Sequence, residues 1–408
     1  MRAPRQGNRF PTTRHEIVVC ALSVLLCTAI LYVRKSDSFR NPQFFAEDGT
    51  IFFAQNLDLG WRAHLESYAG YMCEVPRLIA SFAGFFPYRL APAIYVYSAL
   101  FVVLLFVVKL HSRRLGLPFA PAFALGFVLV PHLGGEVFLC VTNLQWIFAL
   151  FLLVVAAQPS PRTLKEAVPD WLVAVLAGLT GPFAVPLFPV FVFSAYHDRS
   201  RLGAVTAGCV GLAATVQTWC IVEHPIVLPY SLPAHPSAWL DLLGQRTVGT
   251  LLLGTQLAYR IPPLPLLAGG ALVTWFIVRE LLRNRAHRWT GLLFLAFGGV
   301  VTGLAFLKFR AIPQVLISPA GGTRYFFILD VVVIWCLLLL SAGKGRLVPR
   351  LVSASILGVI LVSSLESGFR APPRKDYEWR KYAERIGVDA PFSIPINPPG
   401  WTVPISRR

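Results

Sequence analysis

Long apolar runs alternate with short polar stretches along the whole chain. Runs such as Ala91 to Leu110, Gly203 to Val222 and Tyr325 to Leu340 are long enough to cross a hydrocarbon core as helices. Hydropathy and charge bias predict about eleven membrane helices. They fall near residues 16–33, 91–110, 117–131, 144–157, 171–180, 182–196, 203–222, 260–282, 289–307, 324–342 and 351–366. The first run, Ile17 to Val33, resembles a signal-peptide core in length. Arg34-Lys35-Ser36-Asp37 follows it in place of a small-residue cleavage pattern, so it reads as a retained helix. The pair at 171–196 flanks Leu179-Thr180-Gly181-Pro182, where Gly and Pro break a helix. Two short helices return Arg199 and Arg201 to the side they started from, and a break at membrane depth is tolerated where it lines a protein-enclosed cavity.

Composition agrees with that pattern. Apolar residues make up 55% of the chain and charged residues 14%, against about 25% charged in soluble domains; mean hydropathy is +0.62. The expected fold class is all-α: a polytopic integral membrane protein, with a transmembrane domain over 1–366 and a short external segment over 367–408.

A net charge of +17 would suggest nucleic acid until the charges are placed. Arg2, Arg5, Arg9 and Arg14 precede the first helix; Arg113 and Arg114 follow the second; Arg162 and Lys165 follow the fourth. Arg199 with Arg201, then Arg279, Arg283, Arg285 and Arg288, then Lys344, Arg346 and Arg350 complete the set. They occupy alternate helix ends, as the positive-inside rule requires. The excess is a topology signal, which argues against a nucleic-acid partner. It gives a cytoplasmic N-terminus and an external C-terminus.

On this topology the polar chemistry is external: 34–90, 131–143, 223–260, 308–324 and the tail from 367. In the large first loop, 34–90, Leu59 to Glu66 and Pro76 to Phe86 read as helices lying along the membrane. Trp61, Tyr68, Tyr71 and Tyr88 are their interfacial anchors. Asp376 to Ile386 reads as a mixed-charge helix of a small cap, and the prolines of Ile394 to Trp401 forbid one. No phosphate-cradling GxxxxGK[ST], GxSxG or HExxH occurs. The seven cysteines show no CxxC spacing; only Cys73 and Cys140 fall outside helices, where they could pair. His132 and Glu136, four apart, are either a metal-ligating pair or a hydrogen-bonded loop pair.

The feature richest in chemistry is Glu47-Asp48, within Gln43-Phe44-Phe45-Ala46-Glu47-Asp48-Gly49. Carboxylates among apolar residues at a bilayer surface are costly to desolvate, which favours a functional reading over a solvated turn. With the surface helices after it, the break at Leu179 to Pro182, Gly321-Gly322-Thr323-Arg324-Tyr325-Phe326 and the tail motif Pro395-Ile396-Asn397-Pro398, the chain resembles the GT-C superfamily of membrane glycosyltransferases. The tail is far smaller than the globular domain of oligosaccharyltransferase-type members. The resemblance, which extends to bacterial members, implies a bacterial inner membrane, a polyprenyl-phosphate-linked sugar donor, a lipid- or glycan-linked acceptor and an external active site.

Such a transfer needs a carboxylate to take the acceptor proton and cations to stabilise the departing phosphate. Asp48 is the expected base, partly desolvated by Phe45 and Phe52 if the segment is helical. Glu47 is a supporting carboxylate or, with Asp48, a ligand for a divalent cation such as Mg or Mn. External cations are Arg77, Arg246, Arg260, Lys308, Arg310 and Arg324. Of these Arg324, beside Tyr325, is the best-placed clamp, with Lys308 or Arg310; the same residue reads equally as a snorkelling anchor. A transporter or flippase for a lipid-linked or anionic solute stays open, although it would be expected to show repeated halves with paired breaks. A polysaccharide polymerase or ligase also stays open, although its large loop would be expected late in the chain.

Overall fold

The computed structural model describes residues 13–131, 136–225, 236–310, 312–317, 322–342, 346–366, 368–389 and 391–406. The chain is mostly helical. Six helices are long and apolar enough to cross a membrane: Arg14–Arg34, Tyr88–Leu110, Arg201–Glu223, Pro263–Arg283, Arg288–Lys308 and Leu347–Glu366. Their outer faces expose Leu25, Phe101, Leu212, Leu272, Leu307 and Val362. An apolar belt of that extent on a water-soluble protein would aggregate, so the chain is a multi-pass membrane protein associated with the bilayer.

The other predicted segments are helical too; Leu144–Ala157 has the expected bounds, and most of the rest are shorter or differently bounded. Leu144–Ala157 and Phe327–Ala342 are apolar helices below spanning length. Every residue of Leu144–Ala157 is buried, because neighbouring helices sheathe it on all sides; a helix apolar all round is a core helix. The helix expected at 117–131 covers only Ala120–Val128. The one expected from 171 starts earlier, at Leu164. Pro169 lies close enough to that helix's start to cost it one backbone bond without ending it. Opposite the cavity described below, the buried Asp170 carboxylate takes Lys109 Nζ at 3.1 Å and Arg114 at 2.6 Å, fixing this helix to Ala91–Leu110.

The break itself is as expected. Leu164–Gly178 and Ala184–Asp198 form a hairpin around Gly181, whose φ of +100° suits a residue without Cβ. Breaking a helix there frees backbone groups that need partners. The first loop supplies them: Glu74 N donates to Leu179 O at 3.0 Å, and Gly181 N donates to Met72 O at 3.0 Å. The Thr180 hydroxyl accepts from Val75 N at 3.1 Å, and buried Gln217 bridges Met72 and Gly178 O.

Within the first loop, Gly60–Leu65 is a 3-10 turn following the helix Ala54–Leu59, and the second surface helix is Glu74–Ala83. The tail's expected helix shrinks to Trp379–Ala383. Beyond it, strands β1 (Phe392–Ile396) and β2 (Trp401–Ile405) pair antiparallel, a small departure from the all-α expectation. This hairpin lies on the acidic motif. Ala46 N donates to Asn397 O at 2.5 Å and the Thr50 hydroxyl to Thr402 O at 2.8 Å.

Gly49 is where the two meet. A Cβ there would stand 2.7 Å from Val403 Cγ2 and 2.8 Å from Ile396 Cδ1. We expect Gly49→Ala to cost about 1–3 kcal/mol through overpacking, read as a lowered melting temperature in detergent. An unchanged melting temperature would show that the hairpin yields freely.

Candidate active site

Sequence segments far apart build one cavity of about 150 Å³. The first loop contributes Glu47, Tyr68 and Tyr71; the start of the core helix contributes Thr142, Asn143, Gln145 and Trp146. The helix break adds Pro182, Phe183 and Pro186, and the end of Arg288–Lys308 adds Val301, Leu304, Ala305 and Lys308. Arg324 and Tyr325 close it. One side is polar and charged, the other apolar. Leu304 lines the cavity and is also 51% exposed on the outer face of its helix, so the apolar side adjoins the lipid-facing surface.

Ala69 and Gly70, both at positive φ, make the tight turn that lets Tyr68 and Tyr71 exchange backbone hydrogen bonds at 2.9 and 3.2 Å and set both rings at the cavity. The Tyr68 hydroxyl donates to Glu47 Oε1 at 3.0 Å. Burial, reinforced by the Glu47 charge, pushes the Tyr68 hydroxyl above its ordinary pKa, so it stays a donor. Burial does the same for Tyr71. Trp146 stands edge-on to Tyr325, ring centroids 5.5 Å apart, and packs on Phe183 at 5.4 Å.

Arg324 reaches the cavity while paired to Glu136, which also accepts from the Thr323 hydroxyl and, at 3.1 Å, from the Arg324 backbone N–H. Burial alone would lower the guanidinium's pKa; Glu136, Tyr325 and Glu47 outweigh it and raise it. The group is a fixed cation. Lys308 has its Nζ 5.9 Å from the centre of the Tyr71 ring and 5.6 Å from that of Phe309. Among the described residues no carboxylate pairs with it.

The structure separates the expected site residues. Glu47, Lys308, Arg324 and Tyr325 meet. Asp48 does not join them: it is 3% exposed, lines no part of the cavity, and spends both oxygens on the 141–142 turn. Val141 N donates to Oδ2 at 3.1 Å; Thr142 N and the Thr142 hydroxyl donate to Oδ1, each at 2.7 Å. Burial raises its pKa, and the Thr142 and Val141 bonds work against that. Glu47 precedes the π-helix Asp48–Phe53 and Asp48 opens it, and the two carboxylates meet different neighbours, Tyr68 and the 141–142 turn.

Arg77 is also elsewhere, 1% exposed, bonded to Gln55 at 3.0 Å and lying over Phe52. Arg310 is exposed and does not line the cavity. Glu136 serves Arg324, and His132 lies outside the described residues. Cys73 and Cys140 are both buried and unpaired; burial pushes the Cys73 thiol up to about 12, so it is no nucleophile.

Glu47 is the one carboxylate among the cavity's described lining residues, beside two cations. That donor set suits an anion better than a divalent metal, which favours several oxygen ligands. Tyr68 and Tyr71, expected as interfacial anchors, line the cavity instead, and Thr142, Asn143 and Gln145 join them. A polar triplet opening an otherwise apolar run was the available signal. No protein-family model and no curated protein matches the chain, so the functional reading rests on the side chains of this cavity.

Proposed function

We propose that the chain is a GT-C-type glycosyltransferase that moves a sugar from a polyprenyl-phosphate donor to a hydroxyl acceptor of a cell-envelope glycan or glycolipid. The observation that carries this reading is the cavity's division of labour: one carboxylate, two cations and an apolar wall adjoining the lipid-facing surface. A lipid phosphate needs the cations for its head and the wall of Val301, Leu304 and Phe183 for its chain. Further support is that the acidic motif, the helix break and the Arg324-Tyr325 turn, all singled out for the resemblance, supply lining residues, while the tail motif braces the acidic one.

In the proposed step the acceptor oxygen bonds to the anomeric carbon as the carbon–oxygen bond to phosphate breaks. The phosphate leaves with the electron pair, held by Lys308 and Arg324. Glu47, not Asp48, takes the acceptor proton, since its second oxygen has no partner among the described residues. Tyr68 holds the first.

We also place eleven helices across the membrane, the C-terminus external and the N-terminus cytoplasmic. The cavity's loops share one end of the bundle. The opposite end joins Arg113 to Glu16 at 2.7 Å and Ser200 to Pro161 O at 2.7 Å, among the basic clusters that favour the cytoplasm. Single cysteines at the exposed Ser393 and Arg285, in a chain otherwise free of reactive thiols, should label from outside and only from the cytoplasm, respectively. Labelling of a cysteine at Ser393 from the cytoplasm would sink the external site.

A further inference from the structure

Resting on that reading, we infer that Asp48 is a positioning residue, acting through the 136–143 segment to hold Arg324 at the cavity. The chain of contacts is continuous. Asp48 grips the backbone of Val141 and Thr142. Lys35 Nζ, from the same end of the first helix, donates to Phe138 O at 2.6 Å. The Asn143 amide donates to Glu136 O at 2.7 Å, closing the segment into a compact loop. The Glu136 carboxylate then holds the Arg324 side chain, the Arg324 backbone and the Thr323 hydroxyl.

Leu139, at φ +57°, sits in a left-handed conformation that a bulky side chain adopts only when its surroundings impose it. The anchors at Asp48 and Lys35 are those surroundings. Thr142 and Asn143, inside the loop, line the cavity themselves. The acidic motif therefore divides its work: Glu47 faces the ligand, and Asp48 sets where the cation opposite will stand.

The experiment is hydrogen–deuterium exchange of the full chain in detergent, read at the peptide containing Arg324, whose amide is bonded to Glu136. Asp48→Asn puts a donor where two N–H groups and a hydroxyl need acceptors; Glu136→Gln removes the charge from the far end. Each should speed exchange at Arg324 by about tenfold, the scale of one lost charge-assisted bond. The double variant should be no faster than the faster single one, because both cut the same chain. Thr142→Ala, which removes only the hydroxyl bond, gives the same readout in milder form should Asp48→Asn fail to fold.

Farnesyl phosphate binding should weaken about tenfold in Asp48→Asn, which displaces Arg324 but leaves its charge partner in place, with farnesol binding unchanged, since only the phosphate meets Arg324. Unchanged exchange at Arg324 in a folded Asp48→Asn protein overturns the inference, as do additive effects in the double variant. If the parent protein binds no farnesyl phosphate, the lipid-phosphate reading falls instead, and exchange still decides the linkage.

Discussion

Glu47→Gln should slow sugar transfer by roughly 10²- to 10⁴-fold, the usual cost of losing a general base, with little change in melting temperature. The side chain is only half-buried and faces a cavity, so it packs against little. Gln keeps the shape and can still accept the Tyr68 hydrogen bond at its carbonyl oxygen. What it loses is the ability to take a proton. Transfer would be followed from a polyprenyl-phosphate sugar in detergent, with farnesyl phosphate binding measured alongside. Binding should persist, because the cations are on other segments. A folded Glu47→Gln protein that transfers sugar at the parental rate would remove Glu47 from the chemistry. If the parent carries a lipid-linked sugar across the bilayer without forming a glycosidic bond, the transporter reading replaces the enzyme.

The phosphate clamp should show the next largest effect, and an unequal one. A hydrogen bond to a charged group contributes about 1.5–3 kcal/mol, so Lys308→Gln should raise the donor KM by about ten- to a hundredfold. Arg324→Gln should cost somewhat less affinity, because Glu136 already neutralises part of that cation's charge. Arg324→Lys should not restore the parental KM: Lys keeps the charge but not the forked geometry that serves Glu136 and the cavity together. Parental KM values in both Arg324 variants would reduce Arg324 to a membrane anchor. The same result at Lys308 would leave the cavity without its unpaired cation and the lipid-phosphate reading without support.

Much of the fold was legible in the sequence because membrane helices announce themselves locally. The predominantly apolar run from Ala91 to Leu110 must be helical in lipid, where each backbone group has to be satisfied within its own segment. Gly181 and Pro182 mark a break by their own backbone restrictions. Which helices face lipid was less legible. Leu144–Ala157 is apolar because it is surrounded by protein, and the sequence reads the same whether neighbours or lipid cover a side chain. The tail hairpin's seat on Gly49 could not be seen either, since it depends on contacts more than 340 residues apart, as between Thr50 and Thr402.

For the site, the sequence by itself determined that an acidic pair, a helix break and an Arg-Tyr turn lie between apolar runs at one set of helix ends. It could not say which carboxylate faces the cavity. Adjacent residues at a helix start point to different neighbours, and only the packed 141–142 turn, with three donors in need of acceptors, turned Asp48 inward and left Glu47 at the opening. The same holds for the cations. Arg324 stands out in the sequence beside Tyr325, but its partner is open between Lys308 and Arg310, with Arg77 a further external cation. Burial against Phe52 takes Arg77 away, exposure takes Arg310, and the meeting of the Arg288–Lys308 helix end with the 323–325 turn puts the other two opposite Glu47.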